Sequence, residues 1–188
     1  MPTSRRNLLL ALSAGVLLAG CAPGSGLEPV PPYDPAQYRL GTDDEVRVIT
    51  YGQDQLTGDF RIDSAGRIDL PLLGDIRAAG LTTPELADQI RAGLRQKGIL
   101  RDADVAVQVT AYRLVSIIGE VAHPGQYAYQ PGMTLLSAVA AAGGFTYRSW
   151  QKSAYVVRQE GGHVVTGSLL PQDFVKPGDV IKIYERHF

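Results

Sequence analysis

Leu114-Val-Ser-Ile-Ile-Gly-Glu-Val-Ala-His-Pro-Gly-Gln-Tyr-Ala-Tyr-Gln-Pro-Gly-Met-Thr-Leu-Leu-Ser-Ala-Val-Ala-Ala-Ala-Gly-Gly-Phe145 is the stretch that decides the fold. It opens on a β-branched apolar run, breaks at Gly119 and turns at His123-Pro124-Gly125. Alternation resumes over Gln126-Tyr127-Ala128-Tyr129, and a second turn follows at Gln130-Pro131-Gly132. Short apolar runs bounded by Gly and Pro read as strand, turn, strand. Thr134 is placed to cap a short helix over residues 135–142, which Gly143-Gly144 then stops. Leu135, Leu136, Val139 and Ala142 are expected on one side of it. The helix is nearly all small or apolar, so it must lie close against a sheet, giving a β-grasp-like unit in which a sheet wraps one helix.

Composition bounds what surrounds this unit. The 188 residues are 45% hydrophobic, enough for one or two small domains. Eighteen Lys and Arg stand against 19 Asp and Glu, so no basic field exists to hold nucleic acid. Twenty-one Gly and 12 Pro, spread between short apolar runs, favour many short strands over a helical bundle.

At the N-terminus, Arg5-Arg6 precedes an apolar run over residues 8–18, the length of a signal-peptide core and too short to span a bilayer. Residues 1–20 are read as a cleaved export signal. Leu18-Ala19-Gly20-Cys21 resembles the lipobox of bacterial lipoproteins, which implies acylation of Cys21, the single cysteine of the chain. More than one acyl chain anchors a protein stably, because each buried methylene contributes about 0.8 kcal/mol. Ala22, where inner-membrane lipoproteins carry Asp, implies the outer membrane by the same likeness. Arg5-Arg6-Asn7-Leu8-Leu9 also resembles a twin-arginine signal, and a plain secretory signal fits the pair equally. From residue 21 to 37, Pro23, Pro29, Pro31, Pro32 and Pro35 predict an extended, semi-rigid tether that at ~3.1 Å per residue reaches on the order of 50 Å.

Folded sequence is expected from Tyr38. Val46, Val48 and Thr50 alternate with Arg47 and Ile49, and Phe60-Arg61-Ile62-Asp63 and Arg67-Ile68-Asp69-Leu70 flank Ser64-Ala65-Gly66, which reads as a β-hairpin closed by Pro71-Leu72-Leu73-Gly74. Thr82-Thr83-Pro84-Glu85 has capping-box spacing, Leu86, Ile90 and Leu94 form a buried stripe, and Lys97-Gly98 ends the helix. Residues 104–112 alternate strictly as a strand. Near the C-terminus, Lys176-Pro177-Gly178-Asp179 is a turn feeding a last strand.

Residues able to carry chemistry are scattered. His123, His163 and His187 lack the spacing of a metal pair, and Asp43-Asp44-Glu45 reads as a turn and strand entry. No serine lies in a nucleophile-elbow pattern and no Walker-type loop exists, so no catalytic residue, metal ligand or cofactor is assigned. Tyr127, Tyr129, Tyr147 and Trp150 are candidates for contact with a polymer, since aromatic faces pack on sugar rings while their edges stay wet. Ordinary half-buried strand and loop aromatics fit the same residues. Arg148 and Arg158 are read as contacts for an acidic polymer or an adjacent subunit.

The wording of the central stretch, Ile118-Gly119-Glu120-Val121, Pro124-Gly125-Gln126-Tyr127 and Ala142-Gly143-Gly144-Phe145, resembles the soluble-ligand-binding β-grasp (SLBB) module of bacterial polysaccharide export proteins. Tyr38-Arg39-Leu40-Gly41, Gly58-Asp59-Phe60-Arg61-Ile62-Asp63 and Gly66-Arg67-Ile68-Asp69-Leu70-Pro71-Leu72-Leu73-Gly74 are similar to the export domain that precedes it. Thr42-Asp43-Asp44 departs from the more usual Pro-Gly-Asp, a form that Lys176-Pro177-Gly178-Asp179 keeps. The resemblance, to the Wza-type outer-membrane lipoprotein family, implies an α+β chain of two small β-rich domains, an export domain over residues 38–112 and an SLBB domain over residues 113–188, without a transmembrane helix in the mature protein. It implies a non-enzymatic export component, lipid-anchored to the outer membrane and facing the periplasm, that forms a homo-oligomeric ring for capsular polysaccharide or exopolysaccharide. An inner-membrane polysaccharide co-polymerase is the implied partner. The sequence stops soon after its last strand, without the long amphipathic segment of relatives that cross the membrane themselves, so a separate outer-membrane β-barrel is expected to complete the route. The alternative is a monomeric periplasmic ligand-binding or scaffold lipoprotein; a hydrolase has no residue support.

Overall fold

A computed structural model describes residues 26–186. Cys21 and His187, with the signal segment, lie outside the described residues. The architecture is α+β, and no helix among the described residues is long and apolar enough to cross a membrane.

The first domain is a three-stranded antiparallel sheet of β1 (Glu45–Thr50), β2 (Gly58–Arg61) and β5 (Val105–Ala111) in the order β2-β1-β5, with the helix α1 (Thr83–Gln96) and a separate hairpin of β3 (Arg67–Leu70) and β4 (Gly74–Arg77). Alternation puts Val46 and Val48 inward and Arg47 and Ile49 outward. The Thr82 hydroxyl and Glu85 close the predicted capping box, and Leu86, Ala87, Ile90 and Leu94 are buried on α1. The expected hairpin over residues 60–70 is not formed. β2 pairs with β1, and β3 turns through Leu72 (φ 67°) and Gly74 (φ 73°) to pair with β4. Between them the Asp63 carboxylate accepts from the N–H groups of Ala65 and Arg67 at 2.9 and 2.8 Å, and Asp63 N–H donates to Arg67 O at 2.9 Å, closing a tight turn beyond which β2 and β3 go to different partners.

The second domain is a five-stranded mixed sheet in the order β7-β6-β10-β8-β9, built from β6 (Val115–Gly119), β7 (Gly125–Tyr127), β8 (Ala154–Glu160), β9 (His163–Leu169) and β10 (Val180–Ile183). β6 and β10 run parallel; the other neighbours are antiparallel. The helix α2 (Leu135–Ala141) packs on one face, burying Leu135, Ala138 and Val139, with Ala142 buried just beyond it. Leu136, expected on that face, is 54% exposed. Gly119 is irreplaceable on geometry, since its φ is +89° and a Cβ there would lie 2.1 Å from the Ile183 carbonyl oxygen.

Ala142→Leu forces extra volume into this closed contact and is expected to lower stability by about 1–3 kcal/mol, read from thermal melts. Tyr147→Ala, at an 81% exposed position, is expected to melt with the unaltered protein.

The Pro-rich segment departs from a free tether. Residues 28–30 lie along β9, with Ser168 N–H donating to Glu28 O (2.9 Å), Val30 N–H donating to Ser168 O (3.1 Å), and Val30 buried in the second core. Val30 and Tyr33 bring enough apolar surface to bind an otherwise open strand edge, whereas composition alone registers only the prolines.

Candidate functional site

Two turns of the same design meet where the domains join. In Gly41-Thr42-Asp43-Asp44 the third residue has φ 69°, and the Asp44 carboxylate accepts from Gly41 N–H at 2.7 Å before β1 begins. In Lys176-Pro177-Gly178-Asp179 the third residue has φ 87°, and the Asp179 carboxylate accepts from Lys176 N–H at 2.8 Å before β10 begins. Each aspartate is buried and meets one arginine. Thr42-Asp43-Asp44 thus makes the bend that Pro177-Gly178-Asp179 makes with more usual residues.

Arg113 lies between the two turns. Its backbone N–H donates to Asp44 Oδ1 at 3.0 Å and its Nε stands 3.4 Å from the same oxygen as an ion pair, beyond good hydrogen-bond geometry. The Tyr38 hydroxyl donates to Asp44 Oδ2. Burial, and then the charge of Asp44, push the Tyr38 phenol far above its usual range, so it stays a donor. Gly41 has no side chain because a Cβ would stand 2.3 Å from the Arg113 guanidinium. Tyr38, Tyr112 and Tyr129 continue the junction as edge-on rings, with centroids 5.1 and 5.2 Å apart.

Arg158 and Tyr129, read from sequence as polymer or subunit contacts, are buried. Arg158 is 1% exposed and forks onto Asp179, Nε to Oδ1 at 3.0 Å and Nη2 to Oδ2 at 2.7 Å. Its Nη1 donates to Pro31 O at 3.0 Å and Nη2 to Phe174 O at 3.2 Å, so it ties residues 28–33 to the sheet. A mid-strand arginine looks exposed in sequence only while its buried acid is unknown. Tyr129 is 6% exposed in the second core, where burial raises its phenol pKa.

The other candidates divide between two places. Tyr127 is half-buried, and its hydroxyl donates to His123 O. It pairs with Val115 at the start of β6, whereas residues 146–153 lie beyond the far end, where Trp150 N–H donates to Tyr184 O at 2.7 Å. In that loop Tyr147 is exposed, Trp150 is half-buried with Lys152 Nζ 5.3 Å from its ring centroid, and Arg148 Nε donates to Glu185 Oε1 at 2.8 Å. The bond to Glu185 raises the Arg148 pKa, and both partners are about half exposed, so the pair adds little stability. An exposed tyrosine, an indole and a tethered guanidinium suit contact with a sugar polymer or another protein. Among the described residues no group of three or more His, Cys, Asp or Glu could hold a metal.

Arg113 and the β8–β9 hairpin escaped the sequence reading. Gly161-Gly162 between two β-branched runs was the available sign of the hairpin. Arg113 had none, since it follows its strand as an ordinary charged residue.

Comparison with known proteins agrees with this anatomy. Residues 32–110 match the polysaccharide biosynthesis/export protein family, and residues 114–167 match the SLBB domain. The exopolysaccharide production protein ExoF of Rhizobium meliloti (strain 1021) is 36% identical over 119 residues, covering 57% of this chain and 28% of ExoF. The EPS I polysaccharide export outer membrane protein EpsA of Ralstonia nicotianae is 25% identical over 260 residues, covering 96% of this chain and 68% of EpsA. The polysialic acid transport protein KpsD of Escherichia coli is 33% identical over 89 residues, covering 47% of this chain and 15% of KpsD. The chain thus carries a region matching the polysaccharide biosynthesis/export protein family followed directly by an SLBB domain, the order in which its two folded halves are built.

Proposed function

We propose that the protein is a non-enzymatic, lipid-anchored component of a capsular polysaccharide or exopolysaccharide export channel, facing the periplasm from the outer membrane, whose copies close into a ring that conducts the polymer. The observation that carries this reading is the junction at Asp44, Arg113 and the three edge-on tyrosines, which ties the two domains together. A closed ring of head-to-tail contacts requires every copy to present the same two surfaces at the same angle. Tyr147, Arg148 and Trp150 supply a contact surface for polymer or a neighbouring copy. An inner-membrane co-polymerase supplies the drive, and a separate outer-membrane β-barrel completes the passage.

The test is the mass of the full lipidated chain, extracted in mild detergent, by native mass spectrometry, read beside polymer secretion in a deletion strain. A uniform multimer with secretion restored supports the ring. A monomer throughout removes it and favours the periplasmic ligand-binding or scaffold alternative. Cys21→Ser is expected to abolish fatty-acid labelling and move the protein to the soluble fraction; label kept by the variant would overturn the anchor.

A further inference from the structure

α2 lies on one side of the SLBB sheet, yet the strands are apolar on both. Val115, Ile117, Val156, Ile181 and Ile183 are buried in the core on the α2 side. Alternation sends Ser116, Ile118, Tyr155, Val157, Val180 and Lys182 to the opposite face, in two adjacent rows, Ser116-Val180-Val157 and Ile118-Lys182-Tyr155. Ile118 and Val180 stand 44% and 37% exposed there. A sheet face that meets only water carries polar residues, whereas strands covered on both sides read as nearly continuous apolar runs. The exposed hairpin of the first domain follows the first rule, with Arg67, Asp69, Asp75 and Arg77 outward. The SLBB face breaks it. Across all five strands Lys182 is its single charge, and no salt bridge among the described residues uses it.

A second apolar patch lies on the other side of the domain. The turn over residues 170–174 is bonded to the start of α2, Leu136 N–H to Pro171 O and Leu135 N–H to Asp173 O, both at 3.0 Å, which brings the exposed Leu170 and Phe174 to the end of the helix that carries the exposed Leu136. A hollow of ≈ 380 Å³ opens between that turn and Pro31-Pro32-Tyr33, so the patch is concave. α2 has no charged residue, and the carboxylate that stands at the patch is Asp173, whose Oδ2 accepts from Leu170 N–H at 2.8 Å.

We infer that these two surfaces meet between neighbouring copies: the outer face of one SLBB sheet receives the Leu136, Leu170 and Phe174 patch of the next, with Lys182 paired to Asp173 across the contact. The inference rests on the ring proposed above and names its interface. Unlike surfaces on opposite sides of one domain make a head-to-tail contact, the kind that closes into a ring, whereas a face that met its own kind would give a dimer. A positive charge within one apolar surface and a negative charge at the other select a second copy as the occupant of both.

The test joins the two surfaces covalently. Acylation of Cys21 consumes the native thiol, so a chain carrying Val180→Cys and Leu136→Cys together has one new thiol on each side. The thickness of the sheet and α2 separates them within a chain, and a short bis-maleimide therefore joins them only between copies. In the full lipidated protein in mild detergent this variant is expected to give a ladder of covalent multimers on a denaturing gel, which neither single variant gives. Lys182→Glu sets like charges together and is expected to weaken assembly by about tenfold or more in native mass spectrometry, with Lys182→Arg assembling as the original.

Dimers from Val180→Cys alone would show two sheet faces meeting and overturn the inference. So would a double variant that stays unjoined in protein of multimeric native mass, or full assembly of Lys182→Glu, and each of these leaves the ring standing. A monomeric native mass in the unaltered protein overturns both.

Discussion

Arg158→Ala is expected to destabilise the second domain by about 3–5 kcal/mol, the usual effect of removing one member of a buried ion pair. The guanidinium is 1% exposed, and its loss strands the Asp179 carboxylate together with the Pro31 and Phe174 carbonyl oxygens. The effect should be local before it is global. Amide exchange at Val30 and Ser168, whose N–H groups bond across the docked segment, is expected to accelerate most, ahead of exchange in β6 and β10. Arg158→Lys keeps the charge and loses the planar fork, so it should fall between the variant and the original. Denaturant melts beside hydrogen exchange give the comparison. If Arg158→Ala melts within 1 kcal/mol of the unaltered protein, the pair does not hold the segment.

Asp44→Ala is expected to cost a similar ~3–5 kcal/mol, but with a different signature. Asp44 is fully buried and gathers the N–H groups of Gly41 and Arg113, the Tyr38 hydroxyl and the Arg113 guanidinium. Both domains contribute to this cluster, so its loss should uncouple them. The single tryptophan, Trp150, lies in the second domain, and its fluorescence reports that half alone. Far-ultraviolet circular dichroism reports both. Coincident transitions by the two probes are expected for the original chain, and separated ones for Asp44→Ala. Asp44→Asn keeps an acceptor and should separate them less. Coincident transitions in Asp44→Ala would show that the coupling lies elsewhere.

Much of this fold can be read directly from local chemistry. Thr82 with Glu85, Thr134 before an apolar run, and Gly143-Gly144 after it each act within one turn of helix, so a short window contains cause and effect. Tyr147 on a loop is equally plain. What stayed hidden depends on partners distant in sequence. Arg158 reads as a surface cation until Asp179, twenty-one residues on, is seen to meet it. Asp44 reads as a turn former until Arg113 arrives from sixty-nine residues away. The hairpin expected over residues 60–70 failed for a related reason. Its alternation is real, but which strand pairs with which is decided outside that window, where β2 adds to β1 and β3 turns at Leu72 and Gly74 to pair with β4. The docked segment was hidden because prolines announce what a chain cannot do and are silent about an edge waiting elsewhere.

The parallel pairing of β6 with β10 bears on the order of events as the chain is made. β10 sits third of five across the sheet, between β6 and β8, although it follows the other four strands of the sheet in the chain. The SLBB match ends at residue 167, short of this central strand. A growing chain that has reached residue 169 holds the strands of two hairpins, β6–β7 and β8–β9, with a gap where their shared neighbour belongs, and α2 has half a floor to rest on. Closure waits for residues 180–183 and joins positions more than sixty residues apart, the kind of contact that forms slowly. Until residues 180–183 arrive, the two hairpins are not joined into one sheet.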